Sequence, residues 1–122
     1  YGSGIASDGA GGALVTGYFQ GTAAFGAASL TSRGDSDVFV AHVSDVGVVN
    51  WAVGMGGAEY DYGNGITSDG AGGALVTGSF GGTAAFGAAS LTNTGSSDVL
   101  VAHVSDAGVV EWAVGMGGGQ HD

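Results

Sequence analysis

The side chains able to do chemistry are few, and most recur at matched positions. His42 and His103 stand 61 residues apart within the same word, VAHVS. A histidine can ligate a metal or carry a proton near neutral pH. Neither one has a carboxylate at helical ligand spacing, so each is expected to be buried or hydrogen-bonded between repeats. Asp35, Asp37, Glu59 and Asp61 could bring carboxylate oxygens to one face, which makes calcium the one cofactor to weigh. Neither an EF-hand loop nor the nonapeptide calcium repeat is present, and most Asp residues stand in turn words; the expectation is no cofactor. Arg33-Gly34-Asp35-Ser36 spells an integrin-type adhesion word, but the matching stretch reads Thr94-Gly95-Ser96-Ser97. Tyr18, Tyr60 and Tyr62 could offer rings to a sugar; Trp51 and Trp112 sit in strand patterns and belong to the core. Ser, His and Asp all occur, yet no G-x-S-x-G elbow does. GAGGALVTG lacks the Walker lysine and leads into a strand. No catalytic or metal-ligating set emerges, so the chain is not expected to be an enzyme.

Charge narrows the partners. The 122 residues carry 11 acidic side chains and one basic one, Arg33, for a net charge of −10. A nucleic-acid reader needs clustered Lys and Arg to displace counterions, so nucleic acid is excluded. Anionic membranes are disfavoured for the same reason, and no apolar run approaches the ~20 residues of a membrane helix. Cys is absent, which removes disulfides and thiolate sites. Acidity either keeps an apolar repeat soluble or suits a salty habitat. In both cases salt should relieve repulsion between copies.

The elements that must position these side chains come from a duplication. Residues 1–61 align with 62–122 without a gap, and 48 of 61 positions are identical. A repeat of this length is a supersecondary unit that cannot bury its apolar faces alone. Gly occurs 28 times and apolar positions lack a 3.6 period, so helix is not expected. Strands are expected at Gly4–Ser7, Ala13–Phe19, Asp37–Ser44 and Val48–Met55, and again at Gly65–Ser68, Ala74–Phe80, Asp98–Ser105 and Val109–Met116. A long connection, GTAAFGAASLTSRGDS, separates the second strand from the third. Four short antiparallel strands per unit describe a propeller blade. The first strand has small residues suited to a narrow axis, and the tryptophans fall in the last, outer strand. Asp37–Ser44 and Asp98–Ser105 are apolar on both parities apart from the histidines, as in a sheet covered on both faces. The expected fold class is all-β, with two four-stranded antiparallel propeller blades, 1–61 and 62–122.

Three stretches in each copy, GIASDGAGGALVTG, GDSDVFVAHVSDVG and WAVGMGG in the first and their counterparts in the second, resemble the bacterial β-propeller repeat family called SBBP. The resemblance covers nearly all of both copies. One departure is His42 and His103, where the family pattern would place Lys. The resemblance implies a propeller fold and an extracellular or cell-surface setting, with no fixed catalytic chemistry.

Two blades cannot close a ring that takes 4–8. The expected partner is therefore the chain itself. Three copies would make six blades, the favoured arrangement; four would make eight, and a rotation that does not close would give a filament. The whole-repeat boundaries suggest an engineered or excised two-blade unit. Differences between the copies cluster in two connections expected on the same side: Ser32, Arg33 and Asp35, and then Ala58, Glu59 and Tyr60 against Gly119, Gln120 and His121. Arg33, Asp35, Glu59, Tyr60, Gln120 and His121 are thus the candidate ligand-binding residues. The expected function is a structural, self-assembling scaffold. The alternative is a carbohydrate-binding or adhesion module with a glycan on the variable loops.

Overall fold

A computed structural model describes residues 1–26, 28–57, 59, 61–87, 89–92 and 98–117. The described residues form strands and turns, with no helix and hence none long and apolar enough to cross a membrane. Repeat one contributes β1 (Gly2–Ser7), β2 (Ala13–Phe19), β3 (Thr22–Phe25), β4 (Ala28–Thr31), β5 (Asp37–Val43) and β6 (Val49–Gly57). Repeat two contributes β7 (Asp61–Ser68), β8 (Ala74–Phe80), β9 (Thr83–Phe86), β10 (Ala89–Thr92), β11 (Asp98–Val104) and β12 (Val110–Met116). Each repeat has a four-stranded antiparallel meander: β1-β2-β5-β6 in the first, and β7-β8-β11-β12 in the second. The expected all-β class and the four strand positions per repeat are present.

The turns explain why the chain reverses where it does. Asp8 Oδ1 accepts the Ala10 and Gly12 N–H groups at 2.7 and 2.8 Å, closing the β1–β2 turn through Gly9 and Gly11, both at positive φ. Asp69 does the same in repeat two. Ser44 anchors the β5–β6 turn, where Gly47 also has positive φ.

The long connection departs from expectation. It folds into a hairpin, β3–β4, with Thr22 opposite Thr31 and Phe25 opposite Ala28. Alternation explains this fold: Ala23, Phe25 and Leu30 pack on Phe19, Phe39 and Ala41, while the Thr22 and Thr31 hydroxyls pair outside at 3.0 Å. Gly26 supplies the φ of +64° that the tight turn requires. In repeat two the equivalent β9 also pairs sideways with β6, with Gly56 opposite Ala85 and Gly57 opposite Ala84. Repeat one's sheet thereby becomes six-stranded, in the order β1-β2-β5-β6-β9-β10.

The main core lies between the two repeats. Leu14, Val38, Val40 and Met55 of the first repeat pack with Val76, Phe80, Phe86, Leu100 and Ala102 of the second repeat. Approach at the inner strands is close enough to need glycine. A Cβ on Gly4 would lie 3.2 Å from the Asn64 carbonyl oxygen, and one on Gly63 would be 3.1 Å from Val38 Cγ1.

Candidate functional site

Register assigns the faces. Leu14, His42 and Trp51 lie opposite one another across β2, β5 and β6, as do Thr16, Val40 and Val53, and then Tyr18, Val38 and Met55. These rows share one face of repeat one, and repeat two covers it. The corresponding rows of repeat two are Leu75, His103 and Trp112; Thr77, Val101 and Val114; and Ser79, Val99 and Met116. Ser79 alone differs in type from its counterpart, and this second face is open. Met55 is fully buried, whereas Met116 is 49% exposed; Trp112 and Val114 are 45% and 48% exposed. β5 is buried continuously over Asp37–Ala41, while β11 alternates between buried and half-buried positions. The expectation of a third strand covered on both faces holds for β5 but not for β11. Trp112 accordingly lies outside the core in which both tryptophans were expected.

Repeat one is open on its opposite face. Ile5 is 71% exposed where Ile66 is half-buried, and Val15 and Phe25 are half-buried where Val76 and Phe86 are buried. Small contacts repeat the asymmetry. The β11–β12 turn lies over Trp51, so that a Cβ on Gly108 would sit 3.0 Å from the indole; Gly47, its counterpart, has nothing within 4 Å. An apolar groove runs along Gly65, Ile66, Thr67, Leu75, Thr77 and Val101. Its counterpart in repeat one is filled by β7. The two open faces are thus the unpaired halves of a contact that the chain already makes internally.

The junction between repeats also gathers charge. Asp37 and Asp61 are buried on either side of Gly56: a Cβ there would be 2.5 Å from Asp37 Oδ1 and 2.7 Å from Asp61 Oδ2. Arg33 N–H donates to Asp37 Oδ2 at 3.0 Å, and Gly57 N–H donates to Asp61 Oδ2 at 2.9 Å. Among the described residues the Oδ1 atoms of both carboxyls accept no hydrogen bond. Burial pushes the Asp61 carboxyl up to about 6, assisted by the Asp37 charge and opposed by the Gly57 N–H. Burial also raises Asp37, against the N–H and charge of Arg33. No group of three or more metal-ligating side chains occurs among the described residues.

Each histidine is held within its own repeat rather than between repeats. His42 Nε2 donates to Asp8 Oδ2 at 2.7 Å, and Nδ1 accepts from Asn50 at 3.1 Å, which fits the Nε2–H tautomer. His103 Nε2 meets Asp69 Oδ2 at 2.7 Å, with Glu111 rather than Asn facing Nδ1 at 3.6 Å. One aspartate therefore closes a turn with one oxygen and fixes the imidazole with the other. This bond, with the two turn N–H groups, holds Asp8 down at about 2. Asp8→Ala removes all three bonds, and is expected to lower the unfolding midpoint by about 5 °C in a thermal melt. A hydrogen-bonded His42 Nε2 proton is expected in the wild-type NMR spectrum and should disappear in the variant.

The residues proposed from sequence fall in part together. Arg33 and Asp35 are exposed on the β4–β5 connection, and Glu59 is exposed on the connection between repeats. These connections touch: Arg33 Nη1 donates to the Gly56 carbonyl at 3.3 Å, and Asp61 N–H donates to the Ser36 carbonyl at 2.9 Å. Tyr60, Gln120 and His121 lie outside the described residues. Tyr18 and Tyr62 pack edge to face at 4.6 Å, with Tyr1 against Tyr18 at 5.0 Å. Residue types and spacing had placed Trp112 in the core and had not singled out Val114 and Met116. Identical copies with unequal neighbours were the available signal. No protein-family model and no curated protein matches the chain.

Proposed function

We propose that the chain is a structural module without catalytic activity that assembles head to tail. The open face of repeat two in one copy takes repeat one of the next, and the propeller-type ring expected from sequence closes with three copies. The observation carrying this reading is the unequal burial of identical residues, Met55 against Met116 above all. An exposed row of Trp, Val and Met is costly in water, at about 25 cal/mol per Å² of apolar surface. Its complement is already built at the other end of the molecule. Such an interface is heterologous, so it makes a ring if the rotation closes and a fibre if it does not.

Sedimentation velocity at low and high salt, with and without calcium, tests the proposal. A discrete species of about 35 kDa, three times the 11.6 kDa chain, is expected at high salt, where the −10 charges are screened. A fourfold mass means eight blades, and a growing mass means filaments. A folded chain that stays monomeric in high salt overturns the proposal.

A further inference from the structure

The backbone offers a second, more specific join. In repeat two, β9 is paired on both sides, with β10 through the hairpin and with the end of β6 through Gly56 and Gly57. In repeat one, the identical sequence Thr22–Phe25 forms β3, which pairs with β4 alone in a separate two-stranded sheet. Among the described residues no strand pairs with its outer edge, which presents a row of backbone donors and acceptors. At the other end of the molecule, β12 stops at Met116, and the Gly that follows is the counterpart of Gly56. We infer that the free edge of β3 adds to the end of β12 in a second copy of this chain, placing Ala24 opposite Gly117 as Ala85 stands opposite Gly56.

This inference rests on the assembly proposed above and specifies the join. Three observations support it. The sequence TAAF and the segment Trp-Ala-Val-Gly-Met-Gly-Gly are the same in both repeats, so the sequences of both halves of the internal pairing occur again, at β3 and at the end of β12. Close approach depends on glycine: a Cβ on Gly57 would run into the Thr83 carbonyl and lie 3.0 Å from Ala84 Cα. Finally, β3 is short but carries neither of the chemical guards of an edge strand: Thr22-Ala23-Ala24-Phe25 contains no charge and no Pro, and among the described residues only β4 pairs with it. Continuity with the β6–β9 pairing names the occupant as another copy rather than an unrelated extended peptide.

Hydrogen exchange read by mass spectrometry tests the join in the intact chain. Peptides covering Thr22–Phe25 are compared in the assembled species and in the monomer, the latter obtained by dilution and by Met116→Asp. The outward-facing amides of β3 are expected to slow by about 100-fold on assembly. Those of β9 should be protected in both states, because their partner β6 belongs to the same chain. Assembly with unchanged β3 exchange overturns this inference and leaves face-to-face docking standing. Absence of assembly at high salt overturns both. Protection of β3 already complete in the monomer also overturns it, because the edge would then have a partner within the chain.

Discussion

Met55→Ala is expected to destabilise the monomer by about 3 kcal/mol, and Met116→Ala by less than about 0.5 kcal/mol. The two residues occupy the same place in the same word of sequence. Met55 lies at zero exposure in the core shared by the repeats, opposite Val38 in the register, so truncation leaves a cavity between Val38 and the second repeat. Met116 already faces water and leaves none. Urea unfolding at concentrations below self-association measures both values. Equal costs would mean that the two repeats do not pack as described.

The same pair separates folding from assembly. In a head-to-tail array Met116 enters the surroundings that Met55 has now. Met116→Ala should then weaken association by about 30-fold, the equivalent of about 2 kcal/mol, with monomer stability almost untouched. Met116→Asp would put a charge into that buried row and is expected to leave a folded monomer at every salt concentration. Association of Met116→Asp with wild-type affinity would show that this face is not the interface.

How much of this could be read in advance follows the physics of each element. β2 and β5 were legible because apolar-rich runs bounded by turn words of Asp and Gly have few other readings. The β3–β4 hairpin was not, because TAAFGAASLT alternates with small residues and its signal is weak until Phe19 and Phe39 supply the surface it covers. The burial of Asp37 and Asp61 was also hidden. The sequence could bring Asp37 and Asp61 to one face with Asp35 and Glu59, but Asp in this chain reads mostly as a turn former, which is what Asp8 and Asp69 are, and nothing local marks that the Ser36–Asp61 backbone bond draws this pair inside. The Asp8–His42 bond spans 34 residues and depends on register. Register also decides which apolar parity stays open, so that an exposed end was foreseeable while the row of Trp112, Val114 and Met116 was not.

Asp61→Asn is expected to stabilise the chain at pH 7.5 by about 1–2 kcal/mol and to flatten its response to acid between pH 7.5 and 4.5. Asp61 titrates at about 6 when folded, against 3.8 as its ordinary value. A group raised in this way binds its proton more tightly in the folded state. Its favourable contribution is complete below about pH 3.8 and is lost as pH rises through about 6. Asp37, raised by burial beside it, acts in the same direction. At pH 7.5 the junction therefore holds the buried Asp61 carboxylate beside Asp37, with Glu59 adding repulsion at Asp61 and Arg33 partly offsetting the effect of burial at Asp37. Asn keeps an oxygen for the Gly57 N–H and removes the charge. Asp8 works in the opposite sense: held at about 2, it contributes above about pH 3.8 and loses that contribution as pH falls through 2. The wild-type urea midpoint should thus rise from pH 7.5 to a maximum between pH 4 and 5, then fall below pH 3. Because the −10 net charge also fades with acid, the comparison with Asp61→Asn isolates the junction. A variant with the same rise as wild type would assign the effect to overall charge instead. If the variant does flatten the rise, the contact between repeats is itself tuned by protons, through a carboxyl pair set where the second sheet meets the first.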